Sequence, residues 1–252
     1  MKPILRLDMV SKRFGGVITA DKVSFSVKPG EIHGLIGPNG AGKSTIMNLI
    51  SGIYLLDGGN VYLNEEDITN IPSYLRARKG IGRTFQTPRF LQRSNIRDNL
   101  LLGADLANQF GFLKSYFGKK VSNFENEVAG FMNLLDFTFE WDADITALTY
   151  GQLKQLEIIR SLLSHPKVIL IDEPAAGLNN KEIDNIMELI NVVAKKHGIG
   201  VLLIEHSMDM IMNICEQIEV LNFGKLIASG TPVEVSSNEA VIEAYLGRDL
   251  DA

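Results

Sequence analysis

Gly37-Pro38-Asn39-Gly40-Ala41-Gly42-Lys43-Ser44 is the stretch whose reading decides the rest of the chain. It has the spacing of a phosphate-binding loop: a glycine, four residues, then Gly-Lys-Ser. The glycines let the backbone wrap so that successive N–H groups face inward as a nest for phosphate oxygens. A helix expected over about residues 42–51 aims the positive end of its dipole at the same place. Lys43 has the reach for β- and γ-phosphates, and the Ser44 hydroxyl, beside Thr45, suits a magnesium ion. With glycine near ~7 % of residues, chance produces such a pattern in about one chain in a hundred of this size. Here the loop also follows an apolar strand, Ile32-His33-Gly34-Leu35-Ile36, which is the setting it requires.

Working outward, two more apolar runs read as strands buried on both faces: Val168-Ile169-Leu170-Ile171 and Val201-Leu202-Leu203-Ile204. Between them Ile183, Ile186, Met187, Ile190 and Val193 recur at helical spacing. That is a β-α-β unit, which implies parallel strands and a right-handed crossover. The first strand runs into Asp172-Glu173 and the second into Glu205-His206, so all of these lie at the C-terminal sheet edge where ligands bind. Asp172 is expected to hold Mg²⁺. Glu173 is expected to orient or deprotonate an attacking water, with His206 bonding the γ-phosphate and positioning Glu173. The other histidines take structural readings: His33 in a core strand, His165 in a turn before Pro166, and His197 near a helix C-terminus.

The opening residues alternate in short runs. Ile4-Leu5-Arg6-Leu7 and Val23-Ser24-Phe25-Ser26-Val27 read as strands, with turns at Gly15-Gly16 and Pro29-Gly30. Near the end, residues 218–222 and 225–228 flank Phe223-Gly224 as a hairpin. From about residue 87 to 164 strand signals are few, and helices are expected over 99–107, 124–135 and 152–163. This stretch reads as a helical subdomain inserted into one domain that spans 1–252.

With 252 residues, 45% hydrophobic and 22% charged, the chain is an ordinary globular one. Its net charge of −5 speaks against a nucleic-acid partner. The basic and aromatic residues Arg83, Phe85, Arg89, Phe90, Arg93 and Arg97 read instead as a solvated face or a groove for a partner's helix. The single cysteine, Cys215, cannot form an intrachain disulfide, and its apolar neighbours make it a small buried hydrophobe. No signal-peptide pattern opens the chain and no apolar run reaches the length of a membrane span, so a membrane role is expected to come through a partner.

Leu148-Thr149-Tyr150-Gly151-Gln152, standing between the loop and Asp172, resembles the Leu-Ser-Gly-Gly-Gln signature of the ATP-binding-cassette ATPases. Thr149 stands for Ser and keeps a hydroxyl able to cap the following helix; Tyr150 stands for the first Gly. The resemblance covers essentially the whole chain. It implies an α/β fold of the P-loop NTPase (RecA-like) type, with a parallel-sheet core, an N-terminal antiparallel β subdomain and the inserted α-helical subdomain. It also implies ATP and Mg²⁺ as ligands, with Gln86 contacting the metal and sensing the transporter, and Phe14 stacking on adenine in place of the common tyrosine. Ala176-Gly177-Leu178-Asn179 is similar to the family's dimer-interface loop, with Asn179 in place of Asp. A head-to-tail dimer follows, with ATP between the loop of one subunit and Thr149 to Gln152 of the other. Within the family, Arg83-Thr84-Phe85-Gln86, the Tyr-Gly-Gln signature, Pro174 to Asn179, Ile204-Glu205-His206 and the ending Ala244-Tyr245-Leu246-Gly247 look like the ATPases of branched-chain amino acid importers. Importers of urea and other small polar solutes share several of these strings. The expected partners are transmembrane permease subunits, a second ATPase or a second copy, and indirectly a solute-binding protein, at the cytoplasmic face of the membrane. A soluble ATPase of the same fold serving iron–sulfur cluster assembly is the alternative.

Overall fold

The computed structural model describes residues 1–108, 121–135 and 137–246. In chain order the elements are β1 (Leu5–Phe14), β2 (Val17–Val27), β3 (Ile32–Ile36), α1 (Lys43–Ile50), β4 (Gly58–Leu63), β5 (Glu66–Asp67), α2 (Ser73–Lys79), β6 (Ile81–Arg83), α3 (Ile96–Asn108), α4 (Val121–Leu135) and α5 (Tyr150–Leu162). There follow β7 (Val168–Asp172), α6 (Asn180–His197), β8 (Gly200–Ile204), α7 (Met208–Ile214), β9 (Gln217–Asn222), β10 (Lys225–Gly230), α8 (Pro232–Ser236) and α9 (Glu239–Leu246).

A six-stranded sheet runs in the order β10-β9-β3-β8-β7-β6, parallel except for the β9–β10 hairpin. A four-stranded antiparallel sheet, β2-β1-β4-β5, lies over one face of it. Every residue of β3, β7 and β8 is buried, and the period of two divides each strand between two cores. Val168, Leu170, Leu202 and Ile204 pack with α1 and the antiparallel sheet. Ile169, Ile171, Val201 and Leu203 pack on the opposite side with α5, α6 and α7. Two-sided burial is why these runs carry no polar alternation.

Capping sets the crossover helix α6. Asn179 and Glu182 satisfy each other's backbone N–H groups at 3.0 Å in a capping box. Lys195, Lys196 and His197 sit in the last turn, where positive charge complements the dipole, and Gly198 ends the helix at φ 68°. His33 lies in the core strand as expected, between Glu31 (3.1 Å) and Glu219 (3.3 Å). Burial disfavours its charged form, yet hydrogen bonds to Glu219 and Glu31 prevail and raise its pKa. Cys215 is buried, which pushes its thiol up to about 12, in keeping with a small core residue.

The structure departs from expectation mainly between α1 and α3. The sequence pattern marks none of β4, β5, α2 and β6 there. β6 has only three residues and α2 seven, too short to display a period. α2 is held by a polar device: Arg76, 1% exposed, donates to the carbonyls of Ile71, Thr69, Leu49 and Ile50 at 2.7–2.8 Å, the last two being carbonyls at the end of α1. The final helix turns were likewise missed, and Gly247 of the terminal string lies outside the described residues. Helix α3 begins at Ile96 rather than Asn99, because the Asn95 side chain accepts from the Asp98 N–H at 2.8 Å. Parts of the stretch 87–164 also lie outside the described residues; within it α3, α4 and α5 intervene between β6 and β7.

Candidate active site

Three strand ends meet at one edge. The loop after β3 carries Gly37 to Ser44, while β8, hydrogen-bonded to both β3 and β7, brings Glu205-His206 beside Asp172-Glu173. Close packing dictates the loop's glycines. A Cβ on Gly42, at φ 111°, would lie 2.2 Å from the Thr19 carbonyl oxygen on β2. That contact seats the β1–β2 hairpin against the loop. Gly42 precedes α1 in left-handed conformation and no side chain caps the helix, so its first N–H groups face the loop's interior. Pro38 and Ala41 are buried, whereas Asn39, Gly40 and Ser44 are exposed and Thr45 is half-buried. Lys43 bends back over the loop and donates to the carbonyls of Gly37 (2.7 Å) and Pro38 (3.1 Å).

Glu173 is clasped from two sides. His206 Nε2 lies 3.0 Å from its Oε1, and Gln86 Nε2 donates to its Oε2 at 2.8 Å. Glu173 is also strained, at φ 48°, a conformation that residues other than glycine rarely hold and that clusters at functional sites. Asp172 is buried next to it. Burial pushes its carboxyl up, opposed first by the Arg83 guanidinium and less by the ammonium groups of Lys154 and Lys43. The three oxygen donors expected to hold a divalent ion, Ser44, Gln86 and Asp172, suit a hard cation that keeps other ligands from phosphate and water. With Gln86 Nε2 given to Glu173, its amide oxygen is the atom left for a metal.

Phe14 ends β1 and is exposed. Tyr54 meets its ring edge-on with centroids 5.1 Å apart, and the Lys12 ammonium lies 5.3 Å from its centroid. Thr149 caps α5: its hydroxyl accepts from the Gln152 N–H at 3.3 Å while Gln152 accepts from the Thr149 N–H at 2.9 Å. Tyr150 turns toward its own chain, its hydroxyl donating to the Gln86 carbonyl at 3.2 Å. Its ring fills the space over Gly177, and a Cβ on Gly151 would lie 2.5 Å from Glu182, which ties the signature to the start of α6.

Sequence reasoning gave no role to several groups that build this site. Lys154 is buried and donates to the Glu173 carbonyl at 2.7 Å; burial pushes its pKa down. Glu205 is buried and accepts from the Ala175 N–H at 2.8 Å and the His206 N–H at 2.6 Å, joining the turns after both strands. The Thr84 hydroxyl accepts from the Asp172 N–H at 3.2 Å. Apart from the adjacent His206 N–H, the partners are backbone atoms distant along the chain, which leave no local pattern. The basic and aromatic run folds partly on itself, with the guanidinium groups of Arg83 and Arg89 each 5.0 Å from the Phe85 ring. Beside it opens a groove of about 430 Å³ bounded by Tyr74, Arg83, Phe85, Leu102 and Arg160.

Comparison with known proteins agrees with this geometry. A sequence profile described as "ABC transporter" matches residues 20–176, and one described as "Branched-chain amino acid ATP-binding cassette transporter" matches residues 225–251. The chain is 38% identical to the high-affinity branched-chain amino acid transport ATP-binding protein BraF of Pseudomonas aeruginosa, over 98% of each chain. It is 36% identical to the corresponding protein LivG of Salmonella typhimurium, again over 98% of each. Among solved structures, an ATP-binding cassette of an ABC transporter in its ADP conformation superposes with a TM-score of 0.84 at 34% identity, covering 98% of this chain and 100% of that one. Loop, strand edge, signature helix and relatives thus converge: the chain belongs to the ABC transporter family as one of its ATP-binding cassettes, an ATPase of the branch that includes the branched-chain amino acid transport ATP-binding proteins.

Proposed function

We propose that this chain is the motor subunit of an importer for branched-chain amino acids. The observation that carries the chemistry is the Glu173 carboxylate held between Gln86 and His206 beside the Gly37–Ser44 loop. The full-length likeness to BraF and LivG supports the substrate class. Residues 1–252 act as one ATPase domain in which 87–164 is the helical insert.

In this reading Gly37, Pro38, Asn39, Gly40, Ala41 and Gly42 wrap the phosphates with backbone N–H groups, and Lys43 turns from the loop carbonyls to the β- and γ-phosphates. Phe14 stacks on adenine. Ser44, Gln86 and Asp172 would hold magnesium, which would supply neutralisation of phosphate charge. Glu173 accepts the proton of the attacking water as its oxygen bonds to the γ-phosphorus and the bond to the β-phosphate oxygen breaks, giving ADP and phosphate. His206 keeps the carboxylate aimed and hydrogen-bonds the γ-phosphate. Thr149 to Gln152 of a second cassette close over the same γ-phosphate, so ATP joins two subunits and its hydrolysis releases them.

Among the described residues no helix is long and apolar enough to cross a membrane. The solute path belongs to permease subunits, whose cytoplasmic segments seat in the groove beside Phe85. The test is co-purification of the tagged chain from gently solubilised native membranes. Polytopic membrane proteins accompanied by a second ATPase are the expected company. Soluble scaffold proteins alone would remove the transport reading and favour the iron–sulfur alternative.

A further inference from the structure

Glu157 lies in the middle of α5 with 1% of its surface exposed, and the hydrolysis step above makes no use of it. A carboxylate this deep is costly unless hydrogen-bonded. Its partners are backbone groups of the loop that carries Gln86: Oε2 accepts from the Phe85 N–H and Oε1 from the Arg89 N–H, both at 3.4 Å. Arg160, one turn further on and 3.7 Å from Glu157, donates to the Arg89 carbonyl at 2.7 Å and lays its guanidinium 4.4 Å from the Phe90 ring. At the head of the same helix the Tyr150 hydroxyl holds the Gln86 carbonyl.

One face of α5 therefore grips residues 85–90 at several points, largely through the main chain. Gln86 stands between the two N–H groups that Glu157 binds. The same helix also holds the other half of the Gln86–Glu173 bond, since Lys154 donates to the Glu173 carbonyl. Helix α5 is thus the common ruler against which both ends of that bond are set. Side-chain reach is short and one lost anchor lets a loop drift by an ångström, which is enough to uncouple a catalytic group.

We infer that Glu157 and Arg160 are positioning residues for ATP hydrolysis: they clamp the loop of residues 85–90 onto α5 so that Gln86 meets Glu173. The inference rests on the reading of Gln86 and Glu173 given above. The clamp acts on the Gln86–Glu173 contact and not on the phosphate loop, so its loss falls mainly on turnover, with a smaller effect on nucleotide affinity through the Gln86 amide oxygen.

The test uses the full chain, with steady-state ATP hydrolysis and a double-mutant cycle. Glu157→Gln keeps the shape but turns an amide NH₂ toward one of the two N–H groups. It is expected to lower kcat about tenfold with KM for ATP within about twofold of wild type. In a Gln86→Ala background the same substitution is expected to change kcat by less than about twofold, because its effect runs through Gln86. Arg160→Met, which removes the bond to the Arg89 carbonyl, is expected to repeat the pattern and stands in if Glu157→Gln does not fold. A kcat near wild type in both variants, or an equal loss with and without Gln86, would overturn the clamp. Full turnover in Glu173→Gln is a different result: it would remove the site reading on which the clamp rests.

Discussion

Glu173→Gln is expected to lower ATP turnover at least about 100-fold while ATP affinity stays within about threefold of wild type. The substitution keeps the volume of the side chain held by His206 and Gln86, at 3.0 and 2.8 Å, turning an amide NH₂ toward one of them, and removes the group that takes the proton from water. A positioned general base contributes roughly 10²–10⁴ to a rate, so the loss is large even though nothing in the phosphate loop changes. ATP that binds and is not hydrolysed should hold two cassettes together, visible as an ATP-dependent dimer in gel filtration. Single-turnover hydrolysis separates the two readouts. A variant that turns over ATP at close to the wild-type rate would show that Glu173 is not the group that activates water.

Gly37→Ala has the second largest expected effect, and it acts through packing. Gly37 sits at φ 149°, and a Cβ there would lie 2.0 Å from the Leu221 carbonyl oxygen and 3.2 Å from the Ala41 side chain. Leu221 is fully buried on β9, the strand paired with β3, so the oxygen cannot withdraw without disturbing the sheet. The loop has to move instead, which turns its N–H groups away from the phosphates. Nucleotide affinity is expected to fall at least about 30-fold and stability by about 2–4 kcal/mol. Gly40→Ala is the control. Gly40 also has positive φ, 79°, but no atom lies within 4 Å of its Cβ position, so only the backbone cost of about 1 kcal/mol applies. Fluorescent-nucleotide titration and urea unfolding of both variants decide the matter. Equal tolerance at the two positions would show that close approach to β9 does not shape the loop.

These two residues also mark what was legible in the sequence. The loop could be read because phosphate binding demands glycine and lysine at fixed spacing within eight residues. Strands β7 and β8 could be read because burial on both faces removes polar residues from a short run, and the acids and histidine that follow mark the ligand edge. Glu173 and His206 were thus expected to share an edge, and the structure brings them within hydrogen-bonding distance. What stayed hidden rests on side chains that bond distant backbone. Lys154, Glu157 and Glu205 look in sequence like ordinary polar residues; only the tertiary fold buries them against Glu173, the Gln86 loop and Ala175. Arg76 is a further case, since a basic residue in a short helix gives no sign that it closes the end of another helix. The bond of the Tyr150 hydroxyl to the Gln86 carbonyl is of the same kind, since nothing in the signature string announces a partner 64 residues away.

The measurement that tests the central claim most directly is uptake of leucine, isoleucine and valine into right-side-out membrane vesicles loaded with ATP and containing the complete transporter, with either the wild-type chain or Glu173→Gln. The account predicts saturable, ATP-dependent uptake of at least one of the three with the wild-type chain and none above background with the variant. Intact ATP turnover with no uptake of any of the three, or uptake that persists with Glu173→Gln, would contradict it.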